Sequence, residues 1–248
     1  MQIRYSLLPY MYTLFHDAHA KGSTVMRALA WEFPSDPALA TADRQFLLGP
    51  SLLVSPVLEQ GANSVQAVFP GVQQGTIWYD WYNQSRIVDS AALRGENVSI
   101  PAPLGHIPVF VRGGSILPMQ PLQDALTTSQ ARGQPWSLLV ALDACNAAKG
   151  SLYLDDGESV NPPATLKVTM TVASGNMQVK PEGSFEEKIP LSNVTVMGVK
   201  RPVRTVQFNG CGIESFRYND KKETLEVVGL GDVTKKGAWN QDWTLSWK

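Results

Sequence analysis

The opening stretch of the chain has a helical period. From Tyr5 to Lys21 the apolar residues Leu7, Met11, Leu14 and Ala18 recur every three to four positions, which predicts an amphipathic helix ending at Gly22. Pro9 either starts its regular part or kinks it. Thr24 to Ala30 then reads as a short strand, Asp43 to Leu48 as a helical turn, and Ser51 to Ser55 as a compact apolar strand. A helix and two strands in so short a space suggest the end of a repeated β/α architecture. A closed eight-stranded β/α barrel needs ~250 residues. Residues 1–56 therefore supply only its last one or two units. An open slice of such a sheet leaves the strand at Ser51 without neighbours, so this segment either packs on the later strands of the chain or continues from upstream sequence.

From residue 57 onward the helical period gives way to short strands punctuated by Gly and Pro. They are predicted over residues 65–69, 76–82, 97–101, 107–112 and 115–118. Further strands follow over residues 137–143, 151–154, 166–172, 176–181, 185–191, 194–199, 204–208, 224–228 and 243–247. Turn signals such as Asp156-Gly157 and Asn209-Gly210 separate them. Strands at this spacing imply antiparallel sandwiches. The polar stretch Asp124 to Gln134 is the best internal boundary. The expected fold is mainly β: two β-sandwich domains, 57–135 and 136–248, preceded over 1–56 by the last β/α piece of a TIM-type barrel.

Composition narrows the function classes. Hydrophobic residues make up 44% of the chain and charged residues 17%, with 20 Gly and 17 Pro, as in a turn-rich β protein. The formal net charge of −1 leaves no electrostatic footprint for nucleic acid or an anionic membrane. No apolar run reaches the ~18 residues of a membrane span. Met1 to Ala20 imitates a signal peptide, but Pro9, three tyrosines and His16-Asp17 favour a mature helix. The two cysteines, Cys145 and Cys211, form no zinc-binding spacing, and either a disulfide or two free thiols is open to them. Sequons at Asn83, Asn97 and Asn193 point to a glycosylated protein of the secretory route.

Several motifs in one order carry a resemblance. These are Arg4-Tyr-Ser-Leu-Leu-Pro-Tyr-Met-Tyr-Thr-Leu-Phe15, Thr24-Val-Met-Arg27, Glu32-Phe-Pro-Ser-Asp36, Gln45-Phe-Leu-Leu-Gly49 and Leu52-Leu-Val-Ser-Pro-Val57. They continue in Trp78-Tyr-Asp-Trp-Tyr82, His106-Ile-Pro-Val-Phe-Val-Arg-Gly-Gly114, Ile116-Leu-Pro118 and Leu154-Asp-Asp-Gly-Glu-Ser159. Together they resemble the C-terminal portion of the α-glucosidases of glycoside hydrolase family 31: the end of the catalytic barrel plus proximal and distal C-terminal sandwiches. Coverage is strong to residue 160 and weak beyond. One departure is Ala28, where many relatives carry proline. The resemblance implies a retaining enzyme that releases glucose from non-reducing ends of α-linked glucosides in a secreted, lysosome-like or vacuole-like compartment. Retention requires two carboxyl groups ~5 Å apart. In this family both lie on earlier barrel strands, upstream of Met1, so no catalytic residue carries over. The resemblance implies as partners the α-glucoside oligosaccharide and the upstream catalytic segment, and implies no cofactor or metal.

Other candidates are weighed residue by residue. Asp155 and Asp156 point to opposite faces of an extended strand and read as a turn with Gly157. Asp80 sits between Tyr79 and Trp81, an aromatic strand that reads as sandwich core. His16 and His19 lie i, i+3 without a third ligand, and His106 reads as a loop residue. Ser51 and Ser55 lack a nucleophile-elbow context. If Thr24 to Ala30 is the last barrel strand, Trp31, Glu32 and Asp36 emerge at the active face and border the pocket. Two other readings stand beside the enzyme part. One is a carbohydrate-binding sandwich stacking sugars on Trp78, Trp81 or Trp136. The other is a structural subunit complementing a separate catalytic chain.

Overall fold

A computed structural model describes residues 2–122 and 125–248. Asp124, at the head of the expected boundary stretch, lies outside the described residues. The remainder of that stretch holds a short helix, Thr128–Arg132, capped by the Thr127 hydroxyl, which accepts from Gln130 N–H at 3.2 Å.

The chain opens with α1 (Gln2–Ser6) and α2 (Leu8–Lys21). Pro9 sits in the first turn of α2, where its missing N–H costs nothing. Gly22 ends the helix at φ 69°, its N–H donating to Ala18 O at 2.9 Å. Next come β1 (Met26–Arg27), α3 (Leu29–Glu32), β2 (Phe46–Leu48) and β3 (Leu52–Val54). Two expectations change here. The strand predicted from Thr24 to Ala30 shrinks to Met26–Arg27, because Ala28 turns the backbone into α3. The helical turn predicted from Asp43 to Leu48 is instead strand β2, paired to β1 on one edge and β3 on the other.

The chain continues through β4 (Ser64–Ala67), β5 (Trp78–Asp80), β6 (Val98–Pro101) and β7 (Val109–Arg112). β4 and β6 form a two-stranded ribbon. A five-stranded sheet runs β1-β2-β3-β7-β5 with every pair antiparallel. Strands β1, β2 and β3 thus lie in one sheet with β5 and β7, and the apolar strand at Leu52 gains both of its neighbours.

The remaining strands are β8 (Ser115–Met119), β9 (Trp136–Ala141), β10 (Ala148–Leu154), β11 (Leu166–Ala173), β12 (Asn176–Gly183), β13 (Leu191–Met197), β14 (Val206–Phe208), β15 (Cys211–Ile213), β16 (Phe216–Asn219), β17 (Thr224–Val228) and β18 (Trp243–Trp247). They form an 11-stranded sheet ordered β15-β14-β18-β12-β11-β10-β8-β9-β13-β17-β16. Two pairs are parallel, β10 with β8 and β13 with β9. The strand predicted over Phe185 to Leu191 is not one; the backbone there stays irregular until Leu191 opens β13.

Side-chain alternation sorts these strands into cores. β11 alternates buried Leu166, Val168, Met170 and Val172 with exposed Lys167, Thr169 and Thr171. β9 is buried throughout because it serves two cores. Its Trp136, Leu138 and Val140 enter the large core with Trp239 and Trp243, while Leu139 and Ala141 face a second core with Leu7, Tyr10 and Leu14 of α2. Burying a side chain such as Leu14 stabilises by roughly 1.5–3 kcal/mol. A third core, with Leu29, Leu47, Leu53, Trp78 and Phe110, lies against the other side of the five-stranded sheet. The chain is mainly β, as expected.

Candidate functional site

The cleft between α2 and the sheets has a volume of about 750 Å3, and Tyr10, Arg27, Glu32, Arg112, Asp143 and Lys149 contribute to its wall. Glu32 is one of its carboxylates. α3 carries it inward, where Oε2 accepts from Arg27 Nη1 and Oε1 from Arg112 Nη1, both at 2.8 Å. The three side chains are only 15–26% exposed. Arg27 also donates through Nε to Thr24 O at 2.9 Å, and the Arg112 guanidinium lies 4.6 Å from the Phe33 ring centroid. Two arginines hold Glu32 as an ion-pair hub.

The other carboxylates of this cleft are also engaged. Asp17 pairs with Lys21 at 2.7 Å, one helical turn away. Asp143 Oδ1 accepts from the N–H groups of Cys145 and Ala147 at 2.8 and 2.9 Å. Burial pushes the Tyr10 hydroxyl up to about 12; it donates to Leu48 O at 2.8 Å.

The three residues expected at the active face part company. Glu32 turns into the cleft. Trp31 stands 67% exposed. Asp36 caps a 3-10 turn over Pro37–Thr41, accepting from Ala38 N–H at 3.1 Å, and borders a separate cavity of about 260 Å3 with Arg44 and Gln45. Arg27 and Arg112 lie within recognisable motifs, but their convergence on Glu32 across 80 residues leaves no local signal.

The Asp155-Asp156 pair splits as an extended backbone requires. Asp156 faces solvent and caps its own turn; the Ser159 hydroxyl at 2.6 Å and the N–H groups of Ser159 and Glu158 hold its carboxyl below the usual range. Asp155 is more than the turn residue expected. It is 5% exposed and accepts from the Tyr12 hydroxyl and Gly157 N–H. Arg132 donates to its carbonyl at 2.7 Å. Nearby, His16 stacks on Tyr153 at 3.7 Å, while His19 is exposed.

Asp80 accepts from the N–H groups of Tyr82 and Asn83 and so closes a turn. Tyr82 stacks on His106 at 3.8 Å. Trp78 and Trp136 are each 1% exposed, so neither offers a ring face to a sugar; Trp81 packs partly buried against the second core. Ser55 is buried, and its hydroxyl accepts from Gln45 Nε2 at 2.8 Å. Cys145 and Cys211 are exposed, free thiols. Asn83 and Asn97 are exposed outside regular strands, whereas Asn193 lies half-buried within β13. No helix among the described residues is long and apolar enough to cross a membrane.

Layered β cores, with a leading helix docked across them and every carboxylate of the main cleft engaged, define a β-sandwich unit. Residues 22–117 match the glycosyl hydrolase family 31 C-terminal domain. Over its whole length the chain is 54% identical to an α-glucosidase of Aspergillus oryzae and 52% identical to one of Aspergillus niger, covering 25% of each. It is 38% identical to the lysosomal α-glucosidase of Mus musculus, with 91% of this chain and 25% of that protein aligned. The chain thus spans about a quarter of the length of these relatives. A crystal structure of the glucosidase II α subunit superposes on all of the chain and 28% of its own with a TM-score of 0.82 at 22% identity, which shows a shared fold. The resemblance to the C-terminal portion of family 31 α-glucosidases holds.

Proposed function

We propose that this chain is the C-terminal part of a retaining α-glucosidase that releases terminal α-linked glucose from oligosaccharides, and that it does not turn over substrate by itself. The observation that carries this reading is the alignment of the whole chain with only a quarter of the α-glucosidases it resembles. The engaged carboxylates support it, since a retaining glycosidase needs two free carboxyl groups ~5 Å apart. In this reading those groups come from an upstream barrel, and the sandwiches fix its geometry by burying apolar surface.

The outer face of α2 offers that surface. Leu8 and Phe15 lie seven positions apart, on one side of the helix, and are 38% and 59% exposed. α1 and α2 also precede the matched span. The barrel piece is best confined to these helices, with the proximal sandwich beginning near Gly22, because β2 and β3 are hydrogen bonded into the sheet of β7. Glycans at Asn83 and Asn97 fit a secretory-route protein; Asn193 and its sequon partner Thr195 sit in a central strand.

Co-expression with the upstream portion of such an enzyme tests the reading. Maltose hydrolysis is expected only when both portions are present, and it is expected to fall when Leu8 and Phe15 are both changed to Asp. Full activity of the upstream portion alone, unchanged by this chain, overturns the reading.

A further inference from the structure

The cavity of about 260 Å3 beside Asp36 has Asn97 in its wall. It lies between residues 36–45 on one side and residues 66–68 and 95–97 on the other. Hydrogen bonds hold the two sides together. Buried Gln45 donates through Nε2 to Val68 O at 3.2 Å and accepts from Val68 N–H at 2.8 Å. The β4–β6 ribbon aligns Ala67 with Val98 and Gln66 with Ser99, which sets Asn97 next to the end of β4. Gly95, at φ 76°, shapes the turn that leads into Asn97, and its N–H donates to Ala92 O at 3.0 Å. The cavity is therefore formed in advance, so a ligand seated there orders little of the protein.

Its floor is apolar and its rim polar. Leu39 and Val68 line it from the third core. Asp36 and Arg44 are already engaged, with Ala38 N–H and with Glu59. Asp43 and Gln66, also in the wall, are exposed and have no side-chain partner among the described residues. The Asn97 carboxamide is likewise exposed and unpartnered among them, and it heads the sequon Asn97-Val98-Ser99. A sugar ring has the matching character, with C–H faces and a polar edge. The volume lies below the ~300–1,000 Å3 of drug-sized pockets, which suits one ring rather than an oligosaccharide.

We propose that this cavity is the seat of the first N-acetylglucosamine of an N-glycan carried on Asn97. This rests on the reading of Asn97 as a glycan carrier and adds where its first sugar goes. Attachment forms a bond from Asn97 Nδ2 to C1 of the sugar and breaks the C1–O bond to the diphosphate of a lipid-linked donor, while Nδ2 gives up one proton. A C–H face of the sugar covers Leu39 and Val68, and its hydroxyl and acetamido groups meet Asp43 and Gln66. Covalent tethering keeps the sugar at an effective concentration on the order of millimolar, so weak contacts suffice. A two-stranded ribbon is marginal by itself. The seated sugar joins β4 and β6 to residues 36–45 and so stabilises the ribbon.

Thermal melting of the Asn83→Gln chain in three forms tests the proposal, with occupancy of Asn97 read by peptide mass. One form is secreted with its full glycan, one is trimmed by an endoglycosidase to a single N-acetylglucosamine, and one is made in bacteria without glycan. The full and trimmed forms are expected to melt together, about 2–4 °C above the bare form. Asp43→Ala/Gln66→Ala is expected to abolish that difference. A glycan on Asn97 that gives no rise, a rise lost on trimming to one sugar, or a rise that survives Asp43→Ala/Gln66→Ala each overturns the proposal and leaves Asn97 a glycan carrier. An unoccupied Asn97 overturns both.

Discussion

The Tyr12 hydroxyl reaches both carboxylate oxygens of Asp155, at 2.8 and 2.9 Å, and so joins the leading helix to the end of β10 across 143 positions of sequence. The next residue of the helix, Thr13, adds a hydroxyl that accepts from Tyr153 N–H at 3.0 Å. Removing Asp155 leaves the Tyr12 hydroxyl and Gly157 N–H without their anionic partner. Asp155→Ala is therefore expected to destabilise the chain by about 2–4 kcal/mol, and Tyr12→Phe by about 1 kcal/mol. Urea unfolding of the two variants checks both the size and the order.

The Arg27–Glu32–Arg112 hub predicts a second stability loss. Glu32→Ala leaves two mostly buried guanidinium groups unpaired, and the expected cost is about 2 kcal/mol. Arg112→Lys keeps the charge but loses the planar contact over Phe33, and a smaller loss is expected. A double-mutant cycle on Arg27 and Glu32 should return a coupling above that of an exposed pair; a coupling near zero would contradict the hub.

Alkaline pH should loosen the α2 junction. Burial pushes Tyr10 up to about 12, and burial together with the hydrogen bond to Asp155 does the same for Tyr12. An unfolded tyrosine ionises near pH ~10. Because the folded values are raised, this stability is fully present below about pH 10 and is lost as pH rises toward about 12. Melting temperatures across that window should fall in the wild-type chain, and the fall should be shallower in Tyr10→Phe and Tyr12→Phe.

Glycosylation gives a mass measurement. Expressed through a eukaryotic secretory route, the chain is expected to carry glycans at Asn83 and Asn97. Asn83→Gln/Asn97→Gln should remove the mass shift caused by glycosidase digestion. A residual shift assigned to Asn193 would mean that β13 is modified before it pairs.

Much of the fold was legible because its strands obey simple alternation. β11 and β17 follow their predicted limits within a residue, and β18 matches them, since one face of each is apolar. Helix α2 and its Gly22 cap were legible for the same local reason. β2 was not, because a three-residue apolar run carries no period that separates strand from helix. Phe185 and Ile189 misled in the opposite direction: they pack on the large core from irregular backbone. The site was less legible than the fold. Glu32 was singled out, but its partners lie 5 and 80 positions away and only the sheet brings them together. Trp78 and Trp136 served as sugar platforms only in the alternative reading as a binding module, and both are buried.

The most direct test of the central claim is hydrolysis of maltose and a chromogenic α-glucoside by the purified, folded chain, with circular dichroism recorded on the same sample. The account predicts a cooperative β-type spectrum with no turnover, since the catalytic carboxyl pair is assigned to an upstream barrel. Saturable hydrolysis by the folded chain would place a working carboxylate pair within these 248 residues and contradict it.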